Sequence, residues 1–329
     1  MKAMLERAVV SVLIVVPYLA CAGGSSNGGA TPPTGYNYFA YVSNAGTNSI
    51  SAYTIDPTTG ALTEIAGSPF AAGQAVCFVA AEPTGKFAYA SNPGSNNISA
   101  YSINSTTGAL TTISGSPFTA GTEPVSVAID PTGKFAYVPN AGSNNVSAYT
   151  IDSTTGALTE IAGSPFSTGE GPAFVTIDPT GKFAYVANES QAYKVNIFAY
   201  SINSATGALT EIAGSPFAAG TSPVSIAVDP TGKFAYVANY GSATVSAFAI
   251  DSTTGILTEI AGSPFAAASN PLSVAVDPTG KFAYVVNLTV PSVSAYSIDS
   301  TTGVLTTIAN YGLASGTLPY SVTTIQIKQ

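Results

Sequence analysis

The 329-residue chain has no histidine and no tryptophan. Its one arginine is Arg7, and its two cysteines are Cys21 and Cys77. Each shortage removes a class of chemistry. Without His, neither Ser-His-Asp nor Cys-His nucleophilic catalysis can be assembled. Metal sites that rest on imidazole or on paired cysteines are excluded as well. Charge is also scarce, and what there is leans negative: nine Lys and Arg against 17 Asp and Glu, a net charge of −8. Such a chain has no basic face with which to neutralise phosphates, so nucleic acid is excluded as a partner. One long apolar run opens the chain, and no later segment reads as a membrane span. The positive mean hydropathy comes from Ala, Val and Ile spread over many short runs.

The opening run has a specific form. Lys2 and Arg7 precede an apolar stretch from Ala8 to Ala20. That is short for a bilayer span but suits a secretory signal. Tyr18-Leu19-Ala20-Cys21 resembles a bacterial lipobox, which makes Cys21 the lipidated first residue of the exported chain. The Gly, Ser and Pro that follow read as a flexible tether. The expected organisation is a signal peptide over 1–20, a tether over 21–35 and one folded domain over 36–329. The expected location is the cell envelope, periplasmic or outer surface, with contact to the membrane through the lipid alone. Removing residues 1–20 takes Lys2, Arg7 and Glu6 away and leaves seven Lys against 16 acids. With Cys21 committed to lipid, Cys77 has no disulfide partner and is expected as a small buried apolar residue.

What the chain has in quantity is repetition. Phe-Ala-Tyr begins at Phe39, Phe87, Phe135, Phe183, Phe234 and Phe282, at spacings of 48, 48, 48, 51 and 48. Gly-Ser-Pro-Phe begins at Gly67, Gly115, Gly163, Gly214 and Gly262, each 20 residues ahead of the next Phe-Ala-Tyr. Within a unit, four runs of alternating apolar and polar residues are separated by turn chemistry, the pattern of strands. Asp229-Pro230-Thr231-Gly232 places Pro where a type I turn wants its fixed φ and Gly after it. Asp251-Ser252-Thr253-Thr254-Gly255 supplies another turn.

Four antiparallel strands per unit, here named a to d, repeated around a ring, describe an all-β, six-bladed β-propeller. Strands b, c and d occur six times, and strand a is expected at 76–82, 125–130, 173–178, 224–229, 272–277 and 320–326. The last of these is expected to pair with 37–43 and close the ring, which removes a free sheet edge. A closed ring of this kind is expected as a monomer.

The tetrapeptides Tyr41-Val42-Ser43-Asn44, Tyr89-Ala90-Ser91-Asn92, Tyr137-Val138-Pro139-Asn140, Tyr185-Val186-Ala187-Asn188, Tyr236-Val237-Ala238-Asn239 and Tyr284-Val285-Val286-Asn287 resemble those of the YVTN-repeat bacterial surface propellers. The whole unit is similar to the lactonase family, which includes propeller-type 6-phosphogluconolactonases. That resemblance covers 36–329 and implies the propeller fold, with lactone hydrolysis as an activity. It also implies seven blades and catalytic His and Arg. This chain has repeats for six blades and has neither residue on its folded part.

Most charges have a structural reading. Glu82, Asp130, Asp178, Asp229 and Asp277 start the a–b turns, and Lys86, Lys134, Lys182, Lys233 and Lys281 end them. Asp56, Asp152, Asp251 and Asp299 start the c–d turns. All are expected as turn formers and solvated edge charges. Four charged residues break the repeat: Glu123, Glu170, Glu189 and Lys194. The first two lie in d–a loops and the others in a three-residue insertion within Ala187–Ile197. In a propeller the b–c and d–a loops share one face, so all four fall on it, in neighbouring units. Strand a carries Phe78 and Phe174 where other units have Ser126, Ser225, Ser273 and Ser321, and Tyr193 belongs to the insertion. These residues form the candidate site.

Two functions follow. The first is a binding or scaffold module that takes a glycan, small molecule or protein on the b–c/d–a face. The second, implied by the family resemblance, is lactone hydrolysis, in which Glu170 or Glu189 activates water and Lys194 steadies the oxyanion. Three scattered Glu without an Asp-rich loop do not make a Ca²⁺ site, so no metal and no cofactor is expected.

Overall fold

The Asp-Pro-Thr-Gly turns fold as their chemistry requires. In blade 3 the Asp130 carboxylate accepts from the backbone N–H groups of Thr132, Lys134 and Phe135, and from the Thr132 hydroxyl. Gly133 follows with φ of 71°, the left-handed region that favours glycine. One expectation is corrected here. Glu82, Asp130, Asp178 and Asp229 are buried rather than solvated. Their oxygens are satisfied by the turn itself, which is the condition for burying a carboxylate.

A computed structural model describes residues 12–15, 37–189 and 196–313. They form six antiparallel sheets, one per repeat, in the architecture of a six-bladed β-propeller. Blade 4 shows the plan: strand a is Pro172–Ile177, b is Phe183–Asn188, c is Asn196–Ile202, and d is split into Leu209–Glu211 and Phe217–Ala218. Both pieces of d pair with c. The Gly-Ser-Pro-Phe phrase is the cause of the split. Its serine turns inward and accepts from strand c, as Ser164 Oγ does from Ala148 N (3.0 Å) and Ser263 Oγ from Ala247 N (3.0 Å). Blade 6 lacks the phrase, and its strand d, Leu305–Gly312, runs unbroken.

The core lies between blades. Five apolar clusters each join one blade to the next, from blades 1 and 2 to blades 5 and 6. At each junction the strand-b Tyr is buried and its hydroxyl donates to the carbonyl of the next blade's c–d glycine. The pairs are Tyr41–Gly108, Tyr89–Gly156, Tyr137–Gly207, Tyr185–Gly255 and Tyr236–Gly303. The junction of blade 6 with blade 1 differs. Phe282 is 37% exposed where its five counterparts are 4–7%. Leu62 is 57% exposed and Ile308 50%, against single figures for Leu158 and Ile161. Apolar faces of blades 6 and 1 are exposed there.

A further strand lies at the inner edge of blade 1. Val12–Val15 pairs antiparallel with strand b, Tyr38–Asn44. Residues 320–326, expected in that place, lie outside the described residues. Four consecutive Val, Leu and Ile residues suit an inner strand as well as they suit a signal.

Candidate ligand site on the loop face

Backbone hydrogen bonds bring the d–a and b–c loops together on one face. Glu123 adopts φ of 54°, its N–H donates to Asn96 Oδ1 (2.9 Å) and its carbonyl accepts from Ala141 N (2.8 Å). One blade on, Gly171 N donates to Asn144 Oδ1 (2.9 Å), and its carbonyl accepts from Glu189 N (2.7 Å). Glu170, exposed, immediately precedes Gly171. Glu123, Glu170 and Glu189 therefore share the face, with Glu170 and Glu189 linked across one loop pair. Tyr193 and Lys194 lie outside the described residues, as does Cys21.

The carboxyl of Glu189 is the unusual one. Its Oε2 is buried with no hydrogen-bond partner among the described residues. Burial pushes its pKa above the ordinary carboxyl value. Desolvation without compensating donors has that effect on an acid.

Phe78 and Phe174 meet. Their ring centroids are 5.6 Å apart at 82°, an edge-to-face contact. They belong to the innermost strands of blades 2 and 4, so the rings reach past strand a of blade 3 to touch on the axial side. Phe78 opposes Ser91 and Phe174 opposes Ala187, both one residue from the b–c end of their strands. A bulge falls between Pro172 and Phe174, as it does between Pro223 and Ser225 in blade 5. In blades 3 and 5 the equivalent serines instead accept from the next inner strand, Ser126 Oγ from Val175 N (3.4 Å) and Ser225 Oγ from Val274 N (3.2 Å).

Phe198 is a member of this sector that sequence reasoning missed. Five units place Ser51, Ser99, Ser147, Ser246 or Ser294 at its position. There the strand-b Asn donates to the serine, as Asn140 Nδ2 does to Ser147 Oγ (2.9 Å). Blade 4 has no hydroxyl to receive it, and Asn188 Nδ2 donates to Gly169 O instead (2.8 Å). The signal was present as one more break in the repeat. Cys77 is free and buried. Its Sγ–H donates to Val125 O (3.1 Å), and burial pushes the thiol up to about 12. It is a structural thiol between the inner strands of blades 2 and 3.

The sector combines an aromatic pair on the inner strands with acidic residues on the loop face, and one carboxyl there is held partly desolvated. Among the described residues no group of three or more His, Cys, Asp or Glu comes together to hold a metal ion. No helix of the described residues is long and apolar enough to cross a membrane.

The fold defines a six-bladed β-propeller. The chain matches the family profile of the lactonases, 7-bladed beta-propeller, over residues 33–128 and 162–319, and it belongs to that family. Comparison with curated proteins finds no match. Among solved structures it is similar to a provisionally named 6-phosphogluconolactonase from Bacteroides fragilis, with a TM-score of 0.72 and 22% identity over 86% of this chain and 83% of that one. A Bacteroides uniformis protein with the same provisional name gives a TM-score of 0.69 and 21% identity over 80% and 78%. A Pseudomonas aeruginosa periplasmic gluconolactonase gives 0.70 and 18% over 86% and 84%. At such identities the likeness shows the fold.

Proposed function

We propose that the chain is an exported propeller that binds a neutral, polyhydroxylated ligand, a sugar or sugar lactone, on the loop face of blades 2 to 4. The contact of Phe78 with Phe174, in the sector that also carries three unrepeated Glu, supports this reading. Aromatic rings pack against the apolar face of a sugar ring, and carboxylates accept from its hydroxyls. An acidic rim repels an anionic ligand. Lys86, Lys134, Lys182, Lys233 and Lys281 sit at a–b turns, on the opposite face. Calorimetric titration with glucono-δ-lactone and neutral oligosaccharides tests the reading. Saturable binding by wild type, weakened at least about tenfold (~1.4 kcal/mol) in Phe78→Ala/Phe174→Ala, is expected. Equal binding by the two proteins would remove the aromatic pair from the site.

A second reading is hydrolysis of an unphosphorylated lactone, favoured by the raised pKa and unpartnered Oε2 of Glu189. Water attacks the lactone carbonyl while Glu189 takes its proton, the ring C–O bond breaks, and the proton returns to the leaving alkoxide. Family membership and the name of the periplasmic neighbour support it. Turnover of glucono-δ-lactone that Glu189→Gln abolishes would establish it. No acceleration is expected with the 6-phosphorylated lactone. The anchor is tested separately: fatty-acid labelling should mark wild type and spare Cys21→Ser, and labelling of both would exclude Cys21.

A further inference from the structure

Two breaks in the repeat coincide in blade 4, one in strand c and one in the d–a loop above it. Phe198 stands where the other units have serine. Thr168 stands where blades 2, 3, 5 and 6 have Ala72, Ala120, Ala219 and Ala267. One hydroxyl links the two changes. Elsewhere the strand-c serine accepts from the strand-b Asn, as Ser99 does from Asn92 and Ser246 from Asn239, both at 2.9 Å. Blade 4 has no hydroxyl in the strand, and Thr168 Oγ1 donates to Asn188 Oδ1 from the loop instead (3.3 Å). That bond orients the amide. With Oδ1 toward the Thr168 hydroxyl, Nδ2 faces the Gly169 carbonyl, where a donor is required.

The loop backbone is turned over as a result. In blades 2 and 5 the loop glycine points its N–H inward, Gly73 donating to Ser99 Oγ and Gly220 to Ser246 Oγ, both at 3.2 Å. Gly169, the equivalent residue, points its carbonyl inward and accepts from Asn188 Nδ2 (2.8 Å). Packing agrees with the bonding. At Gly73, Gly121 and Gly220 an added Cβ would lie 2.5–2.6 Å from the strand-b Asn Cγ. At Gly169 it would lie 2.6 Å from the Phe198 ring and 3.3 Å from Asn188 Cγ. The loop of blade 4 leans on the ring where its counterparts lean on the Asn. Glu170 is the next residue, and the carbonyl of Gly171 after it accepts from Glu189 N (2.7 Å). The setting of this loop therefore governs how the backbones of Glu170 and Glu189 stand on the face.

We infer that Phe198 is a positioning residue of the loop face: with Thr168 it reverses the d–a loop of blade 4, and the reversed loop is the form that takes the ligand. This role rests on the ligand site proposed above and adds the residues that shape it. A serine at 198 would draw the Gly169 N–H inward, as in blades 2 and 5, and would carry Glu170 and Gly171 with it. Phe198 acts through the loop and not by touching the ligand.

The double variant Phe198→Ser/Thr168→Ala gives blade 4 the residue types of its neighbours, so its fold has a precedent in the same chain. Amide exchange followed by NMR and calorimetric titration with glucono-δ-lactone test the role, with Phe198→Leu as the second variant. In the double variant the Gly169 amide gains a buried acceptor and should exchange at least about tenfold more slowly, with Gly220 unchanged as the internal reference. Binding should weaken at least about tenfold in the same protein. Phe198→Leu keeps an apolar prop without a hydroxyl and should match wild type in both measurements. If the double variant also exposes the amides of Phe135–Asn140, Phe198→Ser alone serves in its place. A Gly169 amide that is not slowed overturns the inference, as does a slowed amide with binding intact. Loss of binding in Phe198→Leu with the Gly169 amide unchanged overturns it too, because the ring itself would then be the contact. Wild type that binds no lactone removes the proposed site, and this role with it, whatever the Gly169 amide does.

Discussion

Glu189 and the two phenylalanines carry the proposed site, and each makes a separable demand. The Glu189 pKa is raised by burial, so the folded state binds its proton more tightly than the unfolded state does. Stability then falls as pH rises from the ordinary Glu value through the raised folded one. Glu189→Gln removes that loss. The variant should melt above wild type at neutral pH and together with it in acid below about pH 4, near the ordinary Glu value. Thermal scans across pH 4 to 8 check this, and a constant offset would mean that charge is not the cause. The Phe78–Phe174 contact makes a different prediction. Edge-to-face pairs contribute about 0.5–1.5 kcal/mol beyond area burial. A double-mutant cycle of Phe78→Ala and Phe174→Ala by urea unfolding should return a coupling of about 1 kcal/mol. Both phenylalanines were legible as breaks in a serine position. Their meeting was not, because it depends on how three inner strands converge on the axis.

Among the elements, turns were more legible than strands. Asp-Pro-Thr-Gly states its own geometry in one tetrapeptide, and every copy folds accordingly. The burial of its carboxylate was less visible, because it depends on donors at Lys134 N and Phe135 N that any sequence would offer. Strand d read as one run and folds as two, since the Ser of Gly-Ser-Pro-Phe bonds to strand c. The strand-b tyrosines hold the elements of neighbouring blades together. Tyr137 is buried and its hydroxyl donates to Gly207 O at 2.8 Å. Tyr137→Phe keeps the ring and removes the bond, at a cost of about 1 kcal/mol, with somewhat more if the Gly207 carbonyl is left unpaired. In a chain of this size that corresponds to a midpoint lower by roughly 2 °C. An unchanged midpoint would show that water replaces the hydroxyl.

Across the whole molecule, periodicity counts blades but does not give the angle each one turns. Six units were therefore readable while the open junction was not: Phe282 and Phe234 sit in the same Phe-Ala-Tyr phrase with different surroundings. The residues at this junction consequently report how closely blades 6 and 1 pack. Phe282→Ala removes a ring that is 37% exposed beside blade 1, whereas Phe234→Ala removes one that is 6% exposed. Truncating a buried Phe costs about 3–5 kcal/mol. Phe234→Ala should show that loss. Phe282→Ala should cost well under half as much, because its ring is already partly exposed. Urea midpoints of wild type and the two variants measure both differences. Equal costs would mean that Phe282 packs as deeply as Phe234 in solution, and that the apolar faces of blades 6 and 1 are covered there.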